Sequence, residues 1–568
     1  MLWAGLISSV YVPSLRTRFD FIDDGNLVYP SSPMPLRDRL DFAWQKVVAN
    51  SEGLGPFRPV LWAHWELQAE LFHASAWRWR LARIVWATLA AAAMLRLLLT
   101  LGIGPRAALF ATALAMWNPW RNEIWRSLTL SEGVAMPYAL TTLLCAPRAA
   151  RSSRPWAWDI GGGLCMLAAL GCKNTFAAVV PAQLLLRVAP TGRDILAGCR
   201  RHGWRAAALS LTLIMPVVHY IVFVRAWHPG QYETVAPSVA QLGRMLKAVG
   251  GAVSIDIIGP GLLLGLVALS VRRHPATRDD AARAFEFAEC SAALLTGAVL
   301  MACGIGIYLF IPGVSGRYTM PAVWGADLWI AALLSGLSIA PRSAWRRTAY
   351  AVLGVGLIAV AAESLGSQDK FAARANLLWQ AVEFVESTAS HGDTIAWMGG
   401  PDLNVEEGIH FSWHLHGRGR EDLSVQLLDA EGRTVSRPEV QLTTHSPNFL
   451  ITGAAAPQPG TEWHLLRRFT ASYWGGWRTQ SCNVWGSNLV TSPEMHVFSM
   501  RTTAAYPRSS PDLSPPGTGG TEALRMTRPA VSSPPSTISA PWRSAPRCSV
   551  PVDTASGGRR SAETVLDH

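Results

Sequence analysis

LARIVWATLAAAAMLRLLLTL, residues 81–101, is the stretch of sequence that decides the fold class. It matches the run of roughly 20 apolar residues that a helix needs to cross a bilayer. Inside lipid the backbone must satisfy its own hydrogen bonds, so a span of this composition has to be a helix. Residues 81–101 are therefore predicted to form a transmembrane helix.

Similar apolar segments recur along most of the chain. With residues 81–101 they make about eleven candidate spans, some of them short, at residues 2–15, 81–101, 107–117, 128–145, 157–171, 175–189, 204–224, 252–271, 288–311, 319–339 and 348–364. The first run lacks the basic flank and cleavage site of a signal peptide, which favours a first membrane helix. The sequence predicts an α-helical polytopic membrane protein.

The composition agrees with this class. Of 568 residues, 50% are hydrophobic and only 16% are charged, whereas a soluble domain has about 25% charged residues. The 25 tryptophans suit the membrane–water interface. The eight cysteines show no CxxC pair, so neither a disulfide framework nor a structural zinc site is expected. A purely soluble protein is excluded.

The net charge of +11 comes largely from arginines between the predicted spans. Alternate linkers are arginine-rich, and positive-inside bias places them in the cytoplasm: Arg148, Arg151 and Arg154; Arg193, Arg200, Arg201 and Arg205; Arg272, Arg273, Arg278 and Arg283; Arg342, Arg346 and Arg347. The loop 16–80 and the chain after residue 365 are then extracytoplasmic. Membrane lipid explains the positive charge, and no nucleic-acid partner is expected.

Three regions are predicted. Residues 1–365 form the transmembrane domain, with 16–80 as its long first outer loop. Residues 366–500 form a small extracytoplasmic α+β domain, since FAARANLLWQAVEFVESTA (371–389) is helix-like and LSVQLL (423–428) is strand-like. Residues 501–568 are rich in Pro and Ser and are predicted to be a disordered tail.

GIHFSWHLHG, residues 408–417, also alternates as a strand would. That interpretation places His410, His414 and His416 on one face, where three imidazoles could bind zinc or copper. No cysteine or carboxylate nearby completes a ligand set, so a solvent-facing strand side is favoured and no metal is assigned.

The sharpest candidate for chemistry is FDFIDDGNLVYP, residues 19–30, which follows the first apolar run. Asp23 and Asp24 are adjacent carboxylates, so at least one needs a raised pKa or a cationic partner. Such a pair suits a general base or an anchor for an acceptor hydroxyl. The plain alternative is an Asp-Gly turn after a helix.

A second motif in the same loop is GPFRPVLW, residues 55–62. Arg58 stands between an aromatic residue and a proline, which suggests a fixed guanidinium able to bind carboxylate or phosphate bidentately. The alternative is an interfacial arginine beside Trp62 and Trp65.

Acids and cations recur in three later motifs. NPWRNEIWRSLTLSEGVAMP (118–137) carries Glu123 and, inside a predicted span, Glu132; an acid in that position indicates a functional site or a structural partner for an arginine. GCKNTFAAVVP (171–181) carries Lys173, and VSGRYTMP (314–321) carries Arg317 and Tyr318. Each cation could simply end a helix at the interface, yet together they place acids and cations at one membrane face.

The order of these motifs resembles the GT-C superfamily, the polytopic glycosyltransferases that use a polyprenyl-phosphate-linked sugar and include protein O-mannosyltransferases and lipid A aminoarabinose transferases. The resemblance covers roughly residues 1–365, through short motifs. It departs at Lys173-Asn174, where family members often have Lys-Glu, and it gives no role to Asp327 in a late span.

The resemblance implies an inverting transfer on the outer face, from a polyprenyl-phosphate-sugar donor to an extracytoplasmic protein, glycan or lipid acceptor. Asp23 or Asp24 matches the essential first-loop acid. Glu123 and Glu132 match the second acidic position. The candidates for donor binding are Arg58, Lys173 and the Arg317-Tyr318 pair. Some relatives use a divalent cation and others do not, so a metal cofactor stays open.

Two other classes compete with this interpretation. A polytopic transporter or lipid flippase would show inverted repeats and charges at broken helices near the membrane midplane. The sequence shows no internal repeat, and apart from Asp327 its charges gather at helix ends. The third class is a catalytically silent envelope protein whose outer domain binds a partner.

Overall fold

The computed structural model describes most of the chain up to residue 487. The described residues are 1–21, 24, 27, 34–52, 57–192, 194–219, 238–270, 290–309, 319–339, 344–400, 403–435, 447–453, 463–473 and 478–487. Asp23, Arg317, Tyr318 and the predicted disordered tail lie outside them.

The described part of the chain is mainly helical. Its α-helices are α1 (Leu2–Ser8), α2 (Leu36–Glu52), α3 (Pro59–Phe72), α4 (Ala76–Thr100), α5 (Pro105–Trp117), α6 (Pro119–Arg126), α7 (Ser131–Arg151), α8 (Pro155–Cys172), α9 (Val180–Val188), α10 (Ile195–Ser210), α11 (Ile214–His219), α12 (Val239–Ala252), α13 (Ile255–Ser270), α14 (Ser291–Tyr308), α15 (Met320–Ile339), α16 (Ala344–Thr388) and α17 (Val405–Gly417). Tighter 3₁₀ turns occupy Ser9–Arg16, Asn174–Val179 and Leu211–Leu213.

Four of these helices are long and apolar enough to cross a membrane, namely α4, α14, α15 and α16. A fifth span results if α12 and α13, which meet at an 82° bend, are taken as one broken span. The chain is thus a polytopic helical membrane protein. The number of eleven spans stays a prediction, because several of the apolar runs form helices too short to cross a bilayer alone, such as the 13-residue α5.

The two late spans α14 and α15 pack closely through small residues. A Cβ atom added at Gly304 would lie only 2.5 Å from the backbone nitrogen of Ala322. At Gly297 it would lie 2.7 Å from the carbonyl oxygen of Gly325. Glycine is therefore required at both positions for the helices to approach this closely, as is common between membrane helices.

The longest helix, α16, joins the membrane region to the C-terminal region without a break. It has 45 residues, and the border predicted at residue 365 lies inside it. Its second half carries buried Phe371, Trp379 and Phe384, so this half packs into the protein. Residues 371–388 are helical, as the sequence predicted.

The C-terminal region contains a five-stranded sheet in the order β2-β1-β3-β5-β4. The strands are β1 (Thr394–Met398), β2 (Ser424–Leu428), β3 (Phe449–Thr452), β4 (Trp463–Tyr473) and β5 (Arg478–Ser487). β1 runs parallel to β2 and β3, and β5 runs antiparallel to β3 and β4. The first four residues of β1 are buried, as expected for a central strand.

The prediction of a strand at GIHFSWHLHG is wrong, because these residues lie in α17. A capping box starts this helix: the Asn404 side chain accepts a backbone hydrogen bond, and the Glu407 side chain accepts one from the backbone N–H of Asn404. Helical geometry separates the three histidines. His410 and His414, one turn apart, are buried, whereas His416 is partly exposed near the end of the helix.

Candidate functional site

The acidic segment after the first helix is buried around Asp24. The side chain of Asp24 is fully buried and forms an ion pair with Arg80 at the start of α4, with 2.9 Å between Nη2 and Oδ2. The same Oδ2 accepts from the backbone N–H of Asp20 (3.0 Å), and Oδ1 accepts from that of Leu128 (2.9 Å). Asp24 thus ties its own segment, α4 and the turn before α7 together.

Asp20, which the sequence analysis did not single out, is a second buried acid in this segment. Its Oδ1 accepts from the backbone N–H of Phe21 at 2.8 Å. Burial, and secondly the charge of Asp24, raise the pKa of Asp20 to about 7. Its sequence signal was FDFIDD, where an acid four residues before Asp24 stands between two phenylalanines.

Arg83 lies one helical turn beyond Arg80 and points toward the start of α7. Its guanidinium donates to the carbonyl oxygen of Leu130 at 3.3 Å and also to that of Leu128. It interacts electrostatically with both Asp24 and Glu132. The sequence analysis missed Arg80 and Arg83, although paired arginines at the end of an apolar span are a recognisable signal.

Close packing around Arg83 depends on Gly133. A Cβ atom at this position would collide with the Arg83 Nη1 atom and lie 2.8 Å from the Ile124 carbonyl oxygen. The absent side chain is therefore what admits the guanidinium to the first turn of α7.

Glu132 and Lys173 form a second buried ion pair. Glu132 occupies the first turn of α7, and Lys173 is the C-cap residue that directly follows α8. Lys173 Nζ donates to Glu132 Oε1, and only 8% and 3% of the Lys173 and Glu132 side chains are exposed. Both were predicted site residues, and the structure brings them into direct contact.

Arg58 lies at the N-terminus of α3, close to the end of α8. It interacts electrostatically with Cys172, as does Arg83, so both arginines lie near the residue that precedes Lys173. The Nε atom of Arg58 is buried without a hydrogen-bond partner among the residues that the structure describes.

Glu123 lies on α6 and is half-buried. It interacts electrostatically with Arg126, whose guanidinium donates to Ser367 Oγ at 2.9 Å and lies 5.2 Å from the centre of the Phe371 ring. The Arg80 guanidinium lies 5.3 Å from the same ring centre. Arg126, the partner of Glu123, therefore lies at the contact between α6 and α16.

Four of the seven predicted site residues thus lie at one end of the helices, namely Asp24, Glu132, Arg58 and Lys173. The other three, Asp23, Arg317 and Tyr318, are outside the described residues. Among the described residues no group of three His, Cys, Asp or Glu side chains is arranged to hold a metal ion.

Asp327, which had no role in the sequence analysis, pairs with Arg121 of α6. The pair is bidentate, with distances of 2.7 and 2.8 Å, and both side chains are buried. Arg121 Nε also donates to the carbonyl oxygen of Ala252, where α12 ends. The pair therefore connects α6 and α15 with the bend between α12 and α13.

Solved structures similar to this chain include two of the same protein. One is the crystal structure of ArnT from Cupriavidus metallidurans in the apo state, with a TM-score of 0.48 and 16% identity over 87% of this chain and 98% of that chain. The other is the same protein bound to undecaprenyl phosphate, with a TM-score of 0.46 and 15% identity over 87% and 99%. No family model and no curated protein matches the sequence.

ArnT is one of the lipid A aminoarabinose transferases, the group that the sequence motifs resemble. The chain is similar to these structures of ArnT at 15–16% identity and with TM-scores below 0.5. Identity and overlap at this level assign neither a donor nor an acceptor to the present protein.

Proposed function

We propose that this protein is a membrane glycosyltransferase that moves a sugar from a polyprenyl-phosphate carrier to an extracytoplasmic acceptor. The observation that carries the proposal is the cluster of Asp24, Arg80, Arg83, Glu132, Lys173 and Arg58 at one end of the helices. Four cations meet two carboxylates in this cluster, which leaves a positive surplus beside an acidic segment.

A positive surplus at the end of a helix bundle suits an anionic lipid headgroup. A polyprenyl carrier dissolves its chain in the bilayer and presents its phosphate at the interface. We assign this contact to Arg83, which donates to main-chain carbonyl groups and forms no direct ion pair with another described residue. Lys173 is held by Glu132, and we assign it to shaping the site.

The chemistry needs a proton acceptor and a stabilised leaving group. The acceptor hydroxyl attacks the anomeric carbon as the bond to the phosphate oxygen breaks. Its proton passes to a carboxylate, and the polyprenyl phosphate leaves with the bond's electron pair. Fixed cations stabilise the charge that develops on this phosphate.

We propose different roles for the two predicted acids, Asp23 and Asp24. Asp24 is fully buried and already accepts hydrogen bonds from Arg80, Asp20 and Leu128. It is therefore suited to anchor the segment. We assign proton acceptance to Asp23, its neighbour in the chain.

Transfer from radiolabelled polyprenyl-phosphate mannose and polyprenyl-phosphate arabinose in proteoliposomes tests the donor assignment. Arg83→Gln should raise the donor KM about tenfold or more, because it removes a charged phosphate contact. Arg187→Gln is the matched control, since Arg187 is an equally buried arginine paired with Asp159 of α8. Equal donor KM values for Arg83→Gln and the wild type would contradict the assignment.

One observation favours a transporter or lipid flippase as a second candidate. The buried Arg121–Asp327 pair lies beside the 82° bend between α12 and α13, and transporters place charges at broken helices. Movement of labelled polyprenyl phosphate across the proteoliposome bilayer, lost in Asp327→Asn and unaffected by Arg83→Gln, would support that function instead.

A further inference from the structure

The C-terminal region contacts the acidic segment that contains Phe19, Asp20, Phe21 and Asp24. Trp379 of α16 donates its indole N–H to the carbonyl oxygen of Phe19 at 2.8 Å. On the other side, α17 approaches the same segment through Phe411 and His414. The chain that leads to Asp24 thus passes between two helices of the C-terminal part.

Phe21 is the residue that these helices enclose. It is completely buried, with its ring centre 4.5 Å from that of His414, 5.8 Å from that of Trp379 and 6.4 Å from that of Phe411. Aromatic contacts of this kind stabilise the protein beyond the apolar area that they bury. The rings fix the position of Phe21, which directly follows Asp20.

His414 also makes a polar contact with the segment. Its Nε2 atom lies 3.2 Å from the backbone carbonyl oxygen of Asp20. A carbonyl oxygen can only accept, so Nε2 carries the hydrogen and Nδ1 is the bare nitrogen, consistent with the absence of a partner at Nδ1 among the described residues. Burial lowers the pKa of His414 to about 3, so the ring remains neutral.

This contact continues directly to the buried ion pair. Asp20 receives the hydrogen bond of His414 at its carbonyl oxygen and donates its own N–H to Asp24 Oδ2. Asp24 in turn accepts from Arg80 and from the backbone of Leu128. Two successive hydrogen bonds therefore link α17 to the Asp24–Arg80 pair.

We propose that His414 is a positioning residue for the sugar transfer, through which the C-terminal α+β region holds the segment bearing Asp23 and Asp24 in its working conformation. This inference rests on the proposed function. The C-terminal region then affects the reaction rate indirectly, because displacing a catalytic group by about 1 Å can lower the rate on the order of 10²-fold.

Two substitutions separate the hydrogen bond from the packing. His414→Phe keeps an aromatic ring in the enclosure and removes the N–H donor, whereas His414→Gln keeps an amide donor near the Nε2 position and removes the ring. His410→Phe is the matched control, because His410 is buried on the same helix and packs edge to face with Trp413, with 4.8 Å between ring centres.

The experiment combines transfer kinetics with hydrogen exchange of the full-length protein in detergent. His414→Phe should lower kcat about tenfold with the donor KM unchanged, and it should speed amide exchange at Asp20 and Leu128, whose N–H groups bond Asp24. His414→Gln should keep kcat within about threefold of wild type, and His410→Phe should change neither readout.

The outcomes distinguish this inference from the proposed function. Unchanged exchange at Asp20 and Leu128 in His414→Phe would overturn the inference whatever the transfer assay shows. Equal loss in His414→Phe and His414→Gln, with wild-type exchange in both, would assign His414 to packing alone. A wild-type protein that transfers no sugar would overturn the proposed function, and with it the catalytic part of this inference.

Discussion

Asp20 and Asp24 lie four residues apart in one buried segment and differ in what surrounds their carboxyl groups. Asp24 meets the guanidinium of Arg80. Asp20 accepts a hydrogen bond from the backbone N–H of Phe21, and burial raises its pKa to about 7. Asp20 therefore binds a proton below about pH 7, whereas Asp24 forms an ion pair with Arg80.

The raised pKa of Asp20 predicts a pH dependence of stability. The folded protein binds this proton more tightly than the unfolded chain, in which the carboxyl group has its ordinary pKa of 3.8. The stabilisation of the folded state by this tighter proton binding is complete below pH 3.8. It is lost as the pH rises through the folded-state pKa of about 7. Asp20→Asn should gain stability relative to wild type over this range, on the order of a few kcal/mol, in thermal unfolding of detergent-solubilised protein.

Asp422→Asn provides the opposite control. A hydrogen bond from Arg420 lowers the pKa of this partly buried acid, so the variant should lose stability relative to wild type as the pH rises. A difference between Asp20→Asn and wild type that does not vary between about pH 4 and 7 would contradict the environment assigned to Asp20.

Gly133 offers a second test at the scale of one residue. Gly133→Ala would force the Arg83 guanidinium out of its place against α7. We expect a loss of about 1–3 kcal/mol, as for overpacking in a close-packed interior, together with a higher donor KM.

Gly161→Ala in α8 is the matched control, because nothing lies within 4 Å of a Cβ atom there. In thermal unfolding it should be neutral or stabilising by up to about 1 kcal/mol, the usual advantage of Ala over Gly in a helix. Wild-type stability in Gly133→Ala would show that Arg83 does not pack as described.

The site shows which residues a sequence can reveal. Asp24, Glu132 and Lys173 stood out because adjacent acids, or charges at span ends, are unusual. Their partners could not be predicted, since Arg80 is 56 residues from Asp24 and Lys173 is 41 residues from Glu132. Pairs so distant along the chain are determined by how the helices pack.

At the scale of elements, the bend between α12 and α13 is stabilised by polar side chains of neighbouring helices. Ser254, inside the bend, has a left-handed φ of 52°, which is unfavourable for a residue other than glycine. Its side chain accepts from Asn118 Nδ2 at 2.7 Å, while Arg121 Nε donates to Ala252. Asp327 completes the arrangement by pairing with Arg121.

Removing one partner of the Arg121–Asp327 pair should be costly. Asp327→Leu leaves a buried guanidinium without its carboxylate, and we expect a loss of about 3–5 kcal/mol. The double variant Arg121→Met/Asp327→Leu should recover part of the lost stability, since neither buried charge remains. The recovery should be incomplete because the hydrogen bond from Arg121 to the carbonyl oxygen of Ala252 is also lost.

Thermal unfolding of the purified variants in detergent measures these differences. If the double variant is no more stable than Asp327→Leu, the pair is not the interaction that stabilises this region. Wild-type stability in Asp327→Leu would contradict its burial.

The helix at residues 408–417 shows why element type was difficult to predict there. GIHFSWHLH alternates apolar and polar residues like a strand, yet both histidines one turn apart are buried in α17. The decisive signal was the capping box from Asn404 to Glu407. LSVQLL has no such competing signal, and its residues 424–428 form β2, as predicted.

At the scale of the whole molecule, apolar length predicted the membrane class but not the number of spans. Residues 175–189 illustrate the reason: they form a 3₁₀ turn followed by the nine-residue α9. Short helices of this kind are as apolar as a membrane span but are not long enough to cross a bilayer. Their placement depends on the neighbouring helices.

Topology is the property of the whole chain that most affects the proposed site. The arginine-rich linkers predict that the C-terminal region is extracytoplasmic. A reporter that works only outside the cytoplasm, fused after Thr388 where α16 ends, should be active. Activity of a cytoplasmic reporter at that position would place the Asp24 segment, which contacts this region, on the cytoplasmic side.

The central claim is that the protein transfers a sugar from a polyprenyl-phosphate carrier with the aid of its paired acids. Its most direct test is the transfer of labelled sugar from polyprenyl-phosphate mannose and arabinose in membranes containing wild-type protein, Asp23→Asn, Asp24→Asn or the control Asp38→Asn. Asp38 is an exposed acid of α2. Wild type and Asp38→Asn should transfer equally, and Asp23→Asn should be about 10²–10⁴-fold slower with donor binding retained. Asp24→Asn should lose both activity and stability. Transfer at the wild-type rate in both Asp23→Asn and Asp24→Asn would contradict the claim.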